Sequence, residues 1–370
     1  MVTIPISTGP KTMIEIACFI TPHGFGHATR MIAILEALQR RIPDLRPHLF
    51  TTVPESVFAE TLTNFSHHAL QCDIGLVQKD GFTADLEKTI IRLQEFLPYQ
   101  DSLVKDLARR IQGCSLVCCD IASLGIAVAR EAGIVSVLIE NFTWDWIYQA
   151  YLRQHRGLMP AIDYLKSQYQ RVDIHIRSEP VCGAGKGDLV CPPIFRRIRR
   201  LRSDVRNDLG CQDKRVVLIS MGGIDIELPF ISQLSAIPGT LFILAGQQQT
   251  NTTLGDNVLL LSRDSSYYHP DLINAADLVI CKSGYSTVAE CYQAGVPLVT
   301  VGRAIFPESA VLERFTATKM NGQSLDREYF LSGSWLTTLD QLCSGHRLSP
   351  APTNGADTVA DHLLPILSGH

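Results

Sequence analysis

A short polar segment in the second half of the chain combines hydroxyl, glycine and carboxylate residues: Ser283, Gly284, Ser286, Thr287 and Glu290. An apolar run precedes it, and a glycine and a second apolar run follow it, which predicts a strand, a turn and a helix. Free backbone N–H groups and the positive helix end suit a diphosphate there. Glu290, about 6 Å further along the same helix face than Ser286, could accept hydrogen bonds from two ribose hydroxyls. A serine N-cap, a tight turn and a solvated glutamate explain the spacing equally well.

A loop of glycines and histidines, residues 21–30, ends the first predicted strand. Gly24 and Gly26 would let the backbone approach a ligand closely, although the loop matches neither the dinucleotide fingerprint nor the nucleotide-triphosphate loop. His27 begins the next helix. An imidazole, whose ordinary pKa lies near neutral pH, suits the removal of a proton from a hydroxyl. The alternatives are that His27 braces the loop or binds phosphate. Arg30 would bind an anionic group of the donor or acceptor, or form a salt bridge with Glu36 or Asp44.

Two adjacent glycines, Gly222 and Gly223, end another predicted strand. Backbone amides of such a turn can reach a diphosphate. A plain strand-to-loop turn is the alternative.

Strand-like runs and amphipathic helices alternate along the chain, which predicts an α/β fold with parallel sheets. The alternation decays in residues 181–214, a segment rich in glycine, proline and arginine that we interpret as an interdomain linker. We therefore predict a flexible lead-in at 1–12, one domain at 13–180 and a second at 215–370. Ligands of doubly wound domains bind at the carboxyl ends of the strands, where the three candidate loops lie.

The composition narrows the class of protein. The 370 residues carry a net charge of −4 and are 46% hydrophobic and 19% charged, which suits a globular protein and gives no general attraction to nucleic acid. The eleven cysteines lack Cys-x-x-Cys spacing, which indicates buried free thiols and a cytoplasmic location. No run reaches the ~20 apolar residues of a membrane span. The basic run 196–202 allows at most peripheral contact with the inner membrane face; a solvated face is the alternative.

The run 269–280, which leads into Ser283, Gly284, Thr287 and Glu290, resembles the donor half of GT-B glycosyltransferases. In the peptidoglycan GlcNAc-transferases that make lipid II, an equivalent Ser-Gly-x-x-Thr-x-x-Glu segment holds a UDP-sugar. Residues 23–30, His-Gly-Phe-Gly-His-Ala-Thr-Arg, resemble the glycosyltransferase-like half of L-arabinokinases. The resemblance covers about residues 13–340. It implies a GT-B fold of two doubly wound Rossmann-like domains with the active site in the cleft between them.

The same resemblance implies roles for individual residues. His27 would be the catalytic base, and Gly24, Gly26 and Arg30 would form a loop for acceptor or phosphate. Donor contacts would come from the polar segment, from the glycine turn and from four residues elsewhere: Asn141, Arg196, Tyr268 and Glu308. A structural turn is the alternative for Asn141. The chain has Phe306-Pro307-Glu308 where lipid II enzymes have a Gln-rich segment, so the resemblance does not extend to N-acetylglucosamine as the donor sugar.

The function implied is an inverting glycosyltransferase that needs no metal and no cofactor beyond a nucleotide-sugar cosubstrate, a UDP-sugar. Its acceptor would be a lipid-linked sugar, a glycan or a small molecule. Asp225-Ile226-Glu227 is the nearest approximation to a metal-binding Asp-x-Asp, and we interpret it as a loop because a helix end can neutralise a diphosphate.

Two other functions fit the same pattern. One is a non-catalytic nucleotide-sugar-binding or regulatory module. The other is a non-hydrolysing UDP-sugar epimerase, which needs acidic residues in the cleft. The sequence shows no Gly-Leu-Gly-Ser-Ser-like phosphate loop, which argues against arabinokinase activity itself.

Overall fold

The computed structural model describes residues 13–222, 227–248, 250–262, 265–303 and 305–369. The predicted lead-in, Gly223, and Asp225 and Ile226 of the predicted loop therefore lie outside the described residues. Within the described part, two seven-stranded sheets form the centres of two halves. The prediction of two doubly wound halves is confirmed.

The first sheet is wholly parallel, with strand order β3-β2-β1-β4-β5-β6-β7. Its strands are β1 (Ile14–Ile20), β2 (Leu45–Thr51), β3 (Ser66–Ala69), β4 (Leu116–Asp120), β5 (Ser136–Glu140), β6 (Ile174–Ser178) and β7 (Leu189–Cys191). Its helices are α1 (Phe25–Arg41), α2 (Glu55–Ala59), α3 (Leu86–Phe96), α4 (Asp101–Arg110), α5 (Leu124–Ala132), α6 (Trp144–Gln149) and α7 (Met159–Tyr169), with a 3-10 turn at Arg156–Leu158.

The second sheet has strand order β10-β11-β9-β8-β12-β13-β14, and only its β10–β11 pair is antiparallel among the described strands. Its strands are β8 (Arg215–Ser220), β9 (Thr240–Gln248), β10 (Thr252–Leu254), β11 (Val258–Ser262), β12 (Leu278–Lys282), β13 (Leu298–Val301) and β14 (Gln323–Leu325). Its helices are α8 (Arg202–Asp208), α9 (Ile231–Leu234), α10 (His269–Ala275), α11 (Tyr285–Ala294), α12 (Pro307–Lys319), α13 (Arg327–Leu331) and α14 (Leu339–Leu342), with a 3-10 helix at Ser334–Thr338.

Each sheet is buried on both faces, which is why its central strands read as continuous apolar runs. Successive side chains of a strand point to opposite faces. In β1, Ala17 and Phe19 therefore join one core, while Ile16, Cys18 and Ile20 join the other. β8 divides its side chains between two cores in the same way. All eleven cysteines are free thiols, ten of them buried, as predicted. Among the described helices, none is long and apolar enough to cross a bilayer.

The last helix differs from the predicted domain boundaries. α15 (Gly355–Ser368) packs against α1, and its Val359, Leu363 and Leu367 join the core of the first half. The chain therefore crosses between the halves twice. An apolar helix face packs against whichever core it completes, and the position of the helix in the sequence does not show which core that is.

The two crossings run side by side. The amide of Asn354 donates to the Phe195 carbonyl at 2.8 Å and its Oδ1 accepts from the Phe195 N–H at 3.3 Å. Gly355 N–H donates to the Pro193 carbonyl at 3.0 Å. The predicted linker was also too long, because β7 belongs to the first sheet and α8 packs on α10.

Candidate functional site

Two helix N-termini, one from each half, face each other across the cleft. α1 follows Gly24, whose φ of 77° is a conformation that favours glycine. α11 follows Gly284, which is extended and at which an added Cβ would lie 3.7 Å from the Lys282 carbonyl oxygen. A Cβ on Gly26 would lie 3.6 Å from Ser286 Oγ, so the two turns nearly touch. In the described residues no side chain caps either helix, which leaves free N–H groups at two positive helix ends.

A cavity of about 410 Å³ lies between these turns. It brings together nine of the predicted residues: Gly24, Gly26, His27, Arg30, Gly222, Gly284, Ser286, Thr287 and Glu308. It does not include five others, which are placed beneath or beside it: Asn141, Arg196, Tyr268, Ser283 and Glu290.

His27 is held by a buried carboxylate that sequence reasoning did not select. Its Nδ1 lies 2.8 Å from Asp120 Oδ1, and Asp120 ends β4. Among the described residues the other ring nitrogen, Nε2, has no hydrogen-bond partner, and His27 lines the cavity. A proton on Nδ1 that is donated to Asp120 leaves the Nε2 lone pair available to a ligand.

Arg30 does not present a free charge to the cavity. Its Nε and one terminal nitrogen donate to both oxygens of Asp120 at 2.8 and 2.6 Å. Its other terminal nitrogen donates to Asn141 Oδ1 at 2.6 Å. Burial alone would raise the pKa of Asp120, but Arg30 and His27 outweigh it and hold that pKa below its ordinary value. Of the two predicted roles for Arg30, the salt bridge is the one observed, although its partner is Asp120.

A buried hydrogen bond joins the two halves beside His27. The Asn141 amide donates to Glu308 Oε1 at 2.7 Å, and Asn141 and Glu308 come from opposite sides of the cleft. Both predicted donor contacts are thus bonded to each other. Together with Arg30 and Asp120 they form a continuous buried chain from the second half to His27.

Lys282, at the end of β12, places a second unassigned charge in the cavity. Burial and then the charge of Arg303 lower its pKa to about 8. Its Nζ would lie 3.6 Å from a Cβ on Gly222, whose φ of 79° is left-handed. The cation therefore stands beside the glycine turn that was predicted to meet a diphosphate.

Glu290 is buried and already paired. Its Oε1 accepts from Arg196 Nε at 2.8 Å, and its Oε2 lies 2.8 Å from His269 Nδ1. Burial would raise the pKa of Glu290, but Arg196 and then His269 hold it below its ordinary value. Tyr268 lies in the same group, 5.1 Å beneath the Arg196 guanidinium.

Ser283 is buried behind the turn. Its hydroxyl contacts the Val301 carbonyl at 3.3 Å and Glu313 Oε1 at 3.1 Å. The alternative of a serine N-cap with a solvated glutamate is therefore wrong for both residues, since Ser283 caps nothing and Glu290 is buried.

The basic run is neutralised largely by the chain itself. Arg197 pairs with Asp357, Arg200 with Asp208 and Arg202 with Asp277. These pairs give the run a structural role, while peripheral membrane contact stays a prediction. No group of three or more His, Cys, Asp and Glu side chains in the described part of the chain could hold a metal ion.

The two functional candidates that sequence reasoning missed could have been found from their positions in the sequence. Asp120 and Lys282 both end parallel strands, the edge at which ligands of such sheets bind. Applying that rule to every strand would have selected both.

Comparison with known proteins finds one family model and one curated relative that match this chain. Residues 241–308 match the glycosyltransferase family 28 C-terminal domain. The L-arabinokinase of Arabidopsis thaliana is 29% identical over 377 residues, covering 97% of this chain and 35% of that protein. The chain thus spans about a third of the length of the curated relative it matches.

Solved structures match nearly the whole chain at low identity. MurG of Acinetobacter baumannii is 16% identical with a TM-score of 0.56, covering 95% of this chain and 99% of that one. The calicheamicin glycosyltransferase CalG4 is 15% identical with a TM-score of 0.64, covering 96% and 99%. A UDP-glucosyltransferase from Polygonum tinctorium is 14% identical with a TM-score of 0.61, covering 98% and 100%. The predicted GT-B fold and the predicted resemblance are confirmed.

Proposed function

We propose that this chain is an inverting glycosyltransferase that moves a sugar from a UDP-sugar to an acceptor hydroxyl. The observation that carries the proposal is His27, which is oriented by Asp120 and lies in a cavity opposite the N-terminus of α11. The family 28 match supports sugar transfer in general, because it covers the second half from β9 to the start of α12.

The donor diphosphate would lie between α11 and the glycine turn. Uncapped N–H groups at Tyr285, Ser286 and Thr287, the helix dipole and Lys282 would together offset its negative charge. This positive charge comes from the protein, which is why we propose transfer without a metal.

The chemistry is a single displacement. Nε2 of His27 takes the proton of the acceptor hydroxyl, and the resulting oxygen attacks the anomeric carbon. The bond from that carbon to the diphosphate breaks, and its electron pair leaves with UDP. One displacement inverts the anomeric centre, and Asp120 stabilises the imidazolium that forms. Because Arg30 already neutralises Asp120, the main effect of this carboxylate is to orient the ring.

One observation favours a non-catalytic regulatory module that binds another ligand as the second candidate. Both oxygens of Glu290 are occupied by Arg196 and His269, so the ribose hydroxyls of a nucleotide sugar would have to share or displace these partners. An epimerase has less support, since Glu308 is the one carboxylate among the described residues that line the cavity.

The first experiment is a thermal-shift titration with UDP and a panel of UDP-, GDP- and dTDP-sugars, with Glu290→Ala in parallel. Ligand at one hundred times its Kd stabilises the folded state by roughly 2.7 kcal/mol. A shift with uridine nucleotides that Glu290→Ala loses supports the donor site. No shift with any nucleotide rejects it.

Turnover separates the enzyme from the binding module. UDP release with acceptor present should occur in the wild type and fall by at least about 100-fold in His27→Asn, with nucleotide binding retained. His346→Asn, at an exposed position, is the matched control. Equal UDP release in both variants would exclude His27 as the base.

A further inference from the structure

A second cavity of about 560 Å³ adjoins the first. The two share four wall residues: Leu76, Gln78, Arg303 and Phe306. Its other walls come from both halves, from residues 82–86 and 150–151 on one side and residues 302–327 on the other. Its volume falls within the range of small-molecule sites.

The walls are mainly apolar. The first half contributes Leu76, Phe82, Ala84, Leu86 and Ala150, and the second contributes Ile305, Phe306, Pro307, Ala310 and Leu325. Ile305 is 67% exposed, which is unusual for a large aliphatic side chain at the edge of a cavity. Such walls suit the ring or chain of an apolar molecule.

Arg303 places a buried cation in this largely apolar wall. Its side chain is only 9% exposed, and its buried Nε has no hydrogen-bond partner among the described residues. The guanidinium lies 3.6 Å from the centre of the Phe306 ring. Its nearest carboxylate oxygen, Glu308 Oε2, lies 3.6 Å from a terminal nitrogen of the guanidinium, while the other oxygen of Glu308 accepts from Asn141. A buried cation with an unpaired N–H favours an anionic partner.

The other acids of this cavity are occupied. Glu313 accepts from Ser283 at 3.1 Å. Asp326 caps α13 by accepting from the N–H groups of Glu328 and Tyr329 at 2.8 and 3.2 Å. Of the two other cations nearby, Arg327 in the same wall is 42% exposed and lies 3.8 Å from Asp80, and Lys282 lies on the side of the glycine turn. Among the described residues of this wall, Arg303 is therefore the buried cation, and its unpaired Nε–H is left to a ligand of the second cavity.

We propose, on the basis of the proposed transferase function, that the second cavity binds the acceptor. The acceptor is a small apolar molecule with one anionic group, which Arg303 binds. Its reactive hydroxyl reaches His27 through the shared wall, while the donor occupies the first cavity.

The test uses two probes with the same aromatic body and no nucleotide. Anilinonaphthalene sulfonate carries an anionic group, and phenylnaphthylamine does not. Their fluorescence on binding gives a Kd for each. We expect the sulfonate to bind about tenfold more tightly, as one charge-assisted hydrogen bond implies.

Three variants locate the probes. Arg303→Met should weaken the sulfonate about tenfold and leave the neutral probe unchanged. Ala310→Trp, at an exposed wall position of α12, should block both probes. Ala317→Trp, exposed on the same helix but outside both cavities, should change neither. If Arg303→Met fails to fold, Ala310→Glu replaces it and should repel only the sulfonate.

Equal affinity for the two probes, no binding of either, or binding that survives Ala310→Trp would each overturn the proposal. The result is independent of nucleotide binding. If the probes fail these tests while UDP still binds, the acceptor proposal is wrong and the transferase function stands. If the probes behave as expected but no nucleotide binds, the transferase function itself is rejected.

Discussion

Lys282 makes the affinity for the donor depend on pH in a direction that the structure fixes. In the ligand-free protein, burial and the charge of Arg303 lower the pKa of Lys282 to about 8. A bound diphosphate, in contrast, favours the charged form of the lysine. Binding should therefore take up a proton, and affinity should fall as pH rises above the pKa of the free protein. Of the other groups that act on Lys282, Cys281 has a pKa raised to about 12 and Asp80 has a pKa below its ordinary value, so neither changes its charge in this range.

The size of the effect follows from the protonated fraction. With a pKa of about 8, roughly 90% of Lys282 is charged at pH 7, half at pH 8 and roughly a quarter at pH 8.5. The Kd for UDP should rise about twofold by pH 8 and about fourfold by pH 8.5. The terminal phosphate of UDP, with a pKa of about 6, is already roughly 90% ionised at pH 7, so its titration adds little to this change.

Isothermal titration calorimetry measures both the affinity and the proton uptake. Near pH 8 the wild type should take up about half a proton for each UDP bound, seen as a dependence of the heat on the buffer. Lys282→Arg should bind with a flat profile, because arginine stays charged. Lys282→Met should be flat and weaker. A wild-type Kd that stays constant from pH 7 to 8.5, or an alkaline loss that Lys282→Arg shares, would refute the reasoning.

Two further predictions concern stability, measured by urea unfolding. Asp120→Asn leaves Arg30 as a buried charge with a weakened partner and should lower the free energy of unfolding by about 3 kcal/mol. Arg110→Ala, which breaks an exposed pair, is the control and should lower it by less than about 1 kcal/mol. Equal effects would mean that the buried pair contributes no more than a surface pair. Leu363→Ala in α15 truncates a fully buried side chain, so it should lower the free energy of unfolding by about 3 kcal/mol and speed amide hydrogen exchange in α1. Leu254→Ala, at a half-exposed strand position, is the control and should change little. Unaltered exchange in α1 would contradict the packing of α15 on α1.

The architecture was predictable because it depends on local patterns. Buried parallel strands read as apolar runs, and Gly295 ends α11 with a φ of 64°, as a glycine after a helix is expected to do. The loops at the strand ends were found for the same reason, and most of their residues line one cavity.

Long-range pairing could not be predicted. Asp120 is 93 residues from His27, and Asn141 is 167 residues from Glu308, so nothing in their local sequence shows that they meet. Glu290 was placed correctly on its helix, but Arg196 and His269, which pair with its two carboxylate oxygens, come from other segments. The position of α15 was mistaken because an amphipathic helix shows that it needs a core but not which one.

The double crossing between the halves also has a consequence for synthesis. The ribosome makes the first sheet early, yet the face of α1 that α15 covers stays uncovered until roughly 175 further residues have been added, about 10 to 35 seconds at typical rates of translation. During that interval the second half can finish folding while the first still exposes apolar surface. The half that is made first is thus completed last, and a chain cut after residue 214 would lack a helix that its own core needs.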